Sequence, residues 1–277
     1  MVNQSEIKNR LRLGTVFLYL WLKYLKLKKT AFITGATSGI GKATAEIFAK
    51  QNIRLILCGR RLERLLYLQK ELQTFTDVHI LNFDVSDKQA VFNAIESLPE
   101  EFKTIDVLIN NAGNAHGLSP VQDGDTDDWE SMIDINVKGL LYVTKAISPR
   151  MVYRKKGHII NIGSISAKEV YEGGNVYCAT KHAVDALNKG MRMDLSKYGI
   201  RVSAVHPGLV DTEFSTVRFK GDRERADSVY HGFEALKAED IADLIHFVVT
   251  RPYHVNISDI LILPNAQASG TQIHKEF

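Results

Sequence analysis

From Thr30 to its C-terminus the chain alternates between short apolar runs and amphipathic stretches of helical period. "TAFIT", "IRLILC", "DVHILNF", "IDVLIN", "HIINI", "IRVSAV" and "DILIL" read as strands. Between them, helical periodicity appears in "KATAEIFAKQ", "RLERLLYLQKEL" and "DKQAVFNAIESL", and in a long pattern from about Asp127 to Tyr153. It returns in the segment carrying Tyr177 and Lys181 and in "AEDIADLIHFVV". Ser86 is placed to cap the helix that follows it. Strands this apolar are buried on both faces, and alternating βα units imply a parallel sheet with right-handed crossovers. The expected fold class is α/β, a single doubly wound parallel sheet flanked by helices over residues 28–277, preceded by an N-terminal extension, residues 1–27.

That extension holds the chain's excess of positive charge. Residues 1–29 carry Lys8, Arg10, Arg12, Lys23, Lys26, Lys28 and Lys29 against Glu6 alone, so the rest of the chain is net acidic although the whole is +3. Nothing in this distribution points to nucleic acid. The uncharged run Leu13 to Leu22 is ten residues long, short of the roughly 20 that span a bilayer. A basic start followed by such a run resembles a signal peptide, but no small-residue cleavage site follows before "KKTAFITG" begins the first strand. Contact of residues 11–29 with a membrane surface and an appendage packed on the body are the other readings. Cys58 and Cys178 are the only cysteines; they form no disulfide framework and match no zinc spacing, so a cytoplasmic, reducing compartment and no metal are expected.

"TGATSGIG", Thr34 to Gly41, lies between the first strand and the first helix. Backbone amides in such a turn, backed by a positive helix N-terminus, suit a pyrophosphate, and the position is that of a dinucleotide site in a Rossmann-type fold. The spacing is G-x-x-x-G-x-G, through Gly35, Gly39 and Gly41, with Thr37, Ser38 and Ile40 between. An NAD site needs a carboxylate at the end of the second strand for the ribose 2′-hydroxyl. Here the strand ends "LCGRRLERL", and the guanidinium groups of Arg60 and Arg61 suit the dianionic 2′-phosphate of NADP. Tyr177 and Lys181, four residues apart, share one helix face, where an ammonium favours the phenolate of a tyrosine that is otherwise a poor base. Cys178, one position on from Tyr177, points away from it and reads as a core thiol.

These pieces occur in a family's order. "TGATSGIG", "FDV", "NNAG", "INVKG", "INIGSISA", "YCATK" and "HPGLVDTEF" together resemble the short-chain dehydrogenase/reductase family, from Lys28 to the C-terminus. The resemblance implies an NADP-dependent oxidoreductase acting on a CH-OH group. In it Tyr177 exchanges the proton, Lys181 assists and binds the nicotinamide ribose, Ser164 holds the substrate oxygen, and Asn136 holds a water that links Lys181 to solvent. It further implies Asp84 and Val85 at the adenine, and Asn111, Ala112 and Gly113 on the adenosine side. Pro207, Gly208, Val210 and Thr212 would wrap the nicotinamide.

Within the family, "NNAGNAHG", "GGNVYCATK", "PGLVDTEFSTVRFKGD", "HVNISDILILP" and "NAQAS" resemble the NADP-dependent 3-hydroxy acid dehydrogenases acting on serine, allo-threonine and related acids. The basic segment "STVRFKGDRERAD" falls at the family's substrate loop, and Arg218, between Val217 and Phe219, is the expected carboxylate ligand. The resemblance implies a small-molecule substrate and a homotetramer. A 3-oxoacyl-carrier-protein reductase, a general carbonyl reductase, a membrane-attached reductase of lipids, steroids or retinoids, and a non-enzymatic NADP-binding relative stay open at this point.

Overall fold

The computed structural model describes residues 28–276. The N-terminal extension, residues 1–27, lies outside the described residues, and with it nearly all of the basic apolar stretch. Among the described residues no helix is long and apolar enough to cross a membrane.

The strands are β1 (Thr30–Ile33), β2 (Arg54–Gly59), β3 (Val78–Asn82), β4 (Val107–Asn110), β5 (Gly157–Ile162), β6 (Ile200–Pro207), β7 (Val210–Asp211), β8 (Leu236–Lys237) and β9 (Asp259–Ile262). Seven of them form one sheet in the order β3-β2-β1-β4-β5-β6-β9, and every pairing in it is parallel. β7 and β8 pair in a small separate ribbon. The direction of winding reverses between β1 and β4, and a ligand crevice opens at such a point beyond the carboxyl ends of the strands.

The helices are α1 (Gly39–Lys50), α2 (Leu62–Leu72), α3 (Lys88–Glu96), α4 (Thr126–Ile133), α5 (Leu140–Arg154), α6 (Asn175–Leu195), α7 (Glu213–Arg218), α8 (Arg223–Ser228) and α9 (Ala238–Thr250). Strand side chains alternate between the two faces of the sheet. Ala31, Ile33, Leu55 and Leu57 meet Phe48 of α1, Leu65 of α2 and Ile245 of α9 on one face. Phe32, Ile56 and Cys58 meet Val91 of α3 and Val143 and Ile147 of α5 on the other. Each large side chain buried this way contributes about 1.5–3 kcal/mol. Both cysteines are buried free thiols, as expected for Cys178.

Two local expectations are corrected. The cap of α3 is Asp87, whose carboxylate accepts from Ala90 N at 3.0 Å. Ser86 instead bonds the Asp84 carboxylate through its amide and hydroxyl, at 2.9 and 2.8 Å. The long helical pattern from Asp127 to Tyr153 is also not one α-helix. Between α4 and α5 the residues Asp134–Gly139 wind as a π-helix, which adds a residue to the turn and swings Asn136 into the interior, where it is 2 % exposed. Such insertions occur mostly at functional sites.

Candidate active site

The glycine-rich turn leaves β1 and enters α1 under tight backbone constraints. Gly35 and Gly39 have positive φ, 64° and 50°, which side-chain-bearing residues rarely adopt. A Cβ on Gly41 would overlap the carbonyl oxygen of Gly35 and the amide of Asn111. Asn111 staples the neighbouring loop to this turn: its Nδ2 donates to the carbonyls of Thr34 and Gly35 at 3.0 and 3.1 Å. Thr34 Oγ1 accepts in return from the amides of Asn111 and Ala112. α1 has no side-chain cap, so its first amides face the crevice as an anion site requires. The Ser38 hydroxyl, at the capping position, accepts from Arg61 Nη2 at 2.7 Å instead.

Both arginines predicted to read the 2′-phosphate line the same cavity of about 510 Å³. Arg61 also donates to Thr37 Oγ1, at 3.0 Å from Nε and 2.7 Å from Nη2. Its ionic partner is Glu213, at 2.9 Å. Arg60 pairs with Asp84 at 3.3 Å. Burial pushes the Asp84 carboxyl up, but the Ser86 hydrogen bonds and Arg60 outweigh it and hold the pKa below the ordinary value. With an uncapped helix N-terminus, glycines that admit no Cβ and two guanidinium groups at the end of β2, these residues fit NADP.

At the other end of the cavity lie Ser164, Tyr177 and Lys181. Their setting is a buried ladder of amides. Asn110 at the end of β4 donates to Thr144 Oγ1 of α5 and to Asn161 Oδ1 of β5, both at 2.9 Å. Asn161 in turn donates to Asn188 Oδ1 of α6 at 3.0 Å. Buried amides tolerate little misplacement once their partners are fixed, so the ladder sets α6, and with it Tyr177 and Lys181, against the strand ends. Asn136 Oδ1 accepts from Asn114 N at 2.8 Å, and its Nδ2 donates to Asn114 O at 2.9 Å and to Thr180 Oγ1 at 3.1 Å. The Ser164 hydroxyl caps a 3₁₀ turn, accepting from Ser166 N at 3.1 Å. Behind it His206, fully buried, lies 3.3 Å from the Ser164 carbonyl oxygen and is flanked by Asp185 and Asp259. Lys168 bridges those two carboxylates at 2.9 and 2.8 Å, closing the back of the serine turn.

Tyr177 and Lys181 are 7 % and 6 % exposed. Burial pushes the Lys181 pKa down to about 8, and its Nζ donates to the Ile162 carbonyl at 3.0 Å, 5.9 Å from the Tyr177 ring centroid. Burial pushes the Tyr177 phenol above its ordinary value, Tyr171 adds to the rise, and Arg218 and Ser164 oppose it. Arg218 is a second cation beside the Tyr177 ring. Its guanidinium carbon sits 5.1 Å from the Tyr177 ring centroid and 5.4 Å from that of Tyr171, whose hydroxyl accepts from Nη2 at 2.5 Å.

Arg218 ends α7, in a segment that folds over the cavity mouth. Three of its residues pin this lid. Glu213 bonds Arg61 and Arg64, Gly117 N donates to the Arg218 carbonyl at 2.9 Å, and Lys220 pairs with Asp128 and Asp125 at 2.9 and 3.3 Å. Lys220 and Gly221, with φ of 52° and 94°, make a turn.

A model of the short chain dehydrogenase family matches residues 29–223. The chain belongs to the short-chain dehydrogenase family. Among its relatives is an NADP-dependent 3-hydroxy acid dehydrogenase of Schizosaccharomyces pombe, 45 % identical over 90 % of this chain and 97 % of that protein. Another is a serine 3-dehydrogenase of Rhizobium radiobacter, 42 % identical over 89 % of this chain and 98 % of that protein. The closed form of a serine dehydrogenase in complex with NADP+ superposes with a TM-score of 0.84 at 43 % identity, over 89 % of this chain and 100 % of that one.

The fold thus gathers every sequence-predicted residue of this short-chain dehydrogenase around one crevice. Gly35, Thr37, Ser38, Gly39, Ile40, Asp84, Val85, Asn111, Ala112, Gly113, Pro207, Gly208, Val210 and Thr212 line the cavity with the arginines. Gly41 stands behind the turn, and Asn136 lies one layer back, on Asn114. Sequence reasoning missed Tyr171, which shares Arg218 with Tyr177, and the pair Arg64 and Glu213. Tyr171 carried a usable signal, an aromatic in the glycine-rich loop just before α6. Glu213 carried none, because its partners lie about 150 residues away.

Proposed function

We propose that this chain transfers a hydride between NADP(H) and the hydroxyl or keto carbon of a small 3-hydroxy acid of the serine, allo-threonine or 3-hydroxypropionate type. The observation that carries this reading is the Arg218 guanidinium set against Tyr177 and Tyr171 at the substrate end of the cavity. A carboxylate needs a fixed cation, and here it stands beside the group that exchanges the proton.

When bound, NADP supplies the acceptor for the substrate's hydride. The glycine turn and the α1 N-terminus hold its pyrophosphate, Arg60 and Arg61 the 2′-phosphate, Asp84 and Val85 the adenine, and Asn111 to Gly113 the adenosine side. Pro207, Gly208, Val210 and Thr212 border the nicotinamide. Arg218 takes the substrate carboxylate and Ser164 Oγ hydrogen-bonds its hydroxyl oxygen, so the carbinol faces Tyr177. In oxidation Tyr177 Oη accepts the hydroxyl proton as the carbonyl forms; in reduction it returns that proton to the developing alkoxide. Burial favours the neutral phenol, so Tyr177 stands ready as the acid, and cations beside it make it a base. Lys181, lowered to about 8, takes up or releases the proton near neutral pH, and Asn136 joins it to solvent. The two buried thiols support a reducing, cytoplasmic setting. Leu141, Tyr153 and Met193, exposed on the long helices α5 and α6, support a homo-oligomer.

Arg218→Met tests the substrate assignment. The KM for 3-hydroxybutyrate should rise roughly tenfold to a hundredfold, as for a lost charge-assisted hydrogen bond, while NADPH affinity stays within twofold. An unchanged KM would remove Arg218 from the carboxylate site.

A further inference from the structure

The cation cradle at the end of β2 already holds an anion, and that anion belongs to the chain. Glu213, the first residue of α7, spans two guanidinium groups. Its Oε2 accepts from Arg61 Nη1 at 2.9 Å, and Arg64 Nη1 reaches Oε1 at 2.7 Å and Oε2 at 2.9 Å. Burial raises the Glu213 pKa, but Arg61 and Arg64 outweigh it and hold the carboxyl below its ordinary value. Glu213 lines the main cavity and an adjoining recess of about 410 Å³ bordered by Ser38, Lys42, Arg64 and Tyr67. Two oxygens set across two planar forks repeat the geometry by which arginines grip a phosphate.

We infer that Glu213 is an internal stand-in for the cofactor's 2′-phosphate, and that Arg64 is a further ligand of that phosphate beside Arg60 and Arg61. The inference rests on the NADP reading above. A ribose phosphate carries close to two negative charges at neutral pH, and it cannot share the Arg61 and Arg64 forks with a carboxylate without strong like-charge repulsion. Lys42, the other cation bordering the recess, is committed to Glu46 at 2.5 Å. Binding the phosphorylated cofactor therefore displaces Glu213, whereas a cofactor with a free 2′-hydroxyl leaves the clasp intact. Glu213 lowers the affinity for NADP(H) specifically and hastens its release. Its displacement also unpins the first turn of α7, the six-residue helix whose last residue is Arg218, so cofactor identity reaches the substrate cation through one rigid element. An ion pair that only anchored the lid would not distinguish the two cofactors.

The test is calorimetric binding of adenosine 2′,5′-bisphosphate and adenosine 5′-monophosphate to the full chain, wild type and variants, in the absence of substrate. Glu213→Gln should bind the bisphosphate about threefold to tenfold more tightly, the range expected for removing a half-exposed competing charge, and the monophosphate unchanged. The gain should shrink as salt is raised. Glu213→Asp keeps the charge and should stay near wild type. Arg64→Met should weaken the bisphosphate severalfold and leave the monophosphate alone. Bisphosphate binding that is unchanged or weaker in Glu213→Gln, while wild type still prefers the bisphosphate, would overturn the inference and leave the NADP reading standing. A wild type that does not distinguish the two nucleotides would overturn both.

Discussion

Replacing Lys181 by methionine should abolish turnover and yet stabilise the fold at neutral pH. The Lys181 ammonium is buried, and the Ile162 carbonyl accepts its hydrogen bond at 3.0 Å. Its pKa is lowered from 10.5 to about 8, through burial. At about 1.36 kcal/mol per unit, burying this charge costs the folded state about 3 kcal/mol. The sign follows from proton linkage: between the folded and unfolded pKa values the unfolded chain binds more protons. The cost is therefore present in full below about pH 8 and is relieved as pH rises towards about 10.5. Methionine keeps an unbranched apolar stem and removes the charge, but forfeits the charge-assisted bond to Ile162, worth about 2 kcal/mol. The variant should be more stable by about 1 kcal/mol at pH 7, or roughly 2–4 °C in Tm for a chain of this size. Thermal unfolding followed by circular dichroism, without cofactor and in steps from about pH 7 to 10, reads the difference between the two proteins. That difference should close across the upper half of the range. Parallel curves, or a methionine variant less stable at neutral pH, would refute the argument that the lysine is held there against its own solvation.

The other expectations concern the two ends of the cavity. Tyr177→Phe should remove turnover by at least about a thousandfold, the scale of a lost general acid–base group, with NADPH fluorescence titrating as in wild type; appreciable residual rate would dismiss Tyr177 as the proton donor. The double change Arg60→Ala and Arg61→Ala should weaken NADPH by roughly a hundredfold, about two charge-assisted hydrogen bonds, and NADH by far less. Equal losses would mean the arginines do not read the phosphate.

The sheet was legible because its strands are uniformly apolar and each is followed by a helical period; burial of β1 and β2 on both faces is what that pattern means. The glycine turn was legible because backbone geometry leaves glycine few substitutes at Gly35, Gly39 and Gly41. Two features escaped for a shared reason: they rest on contacts between residues distant in the chain. Glu213 looks like any acid at a helix start until α7 folds onto Arg61 and Arg64. Asn161 and Asn188 look like ordinary polar residues in a strand and a helix until Asn110 joins them. The π-helical turn at Asn136 keeps an amphipathic period close enough to 3.6 that the pattern from Asp127 to Tyr153 reads unbroken. Ser86 and Asp87 are both good caps, and the choice fell to Asp87 because Asp84 takes Ser86.

The central claim is the pairing of NADP with a free 3-hydroxy acid, and NADP+ reduction over a small substrate panel tests it most directly. L-serine, L-allo-threonine, 3-hydroxypropionate and 3-hydroxybutyrate should be oxidised in preference to a 3-hydroxyacyl thioester, with NADP+ preferred over NAD+. Turnover confined to the thioester, or appearing only with a lipid alcohol, would contradict the assignment of the substrate to the cation at Arg218.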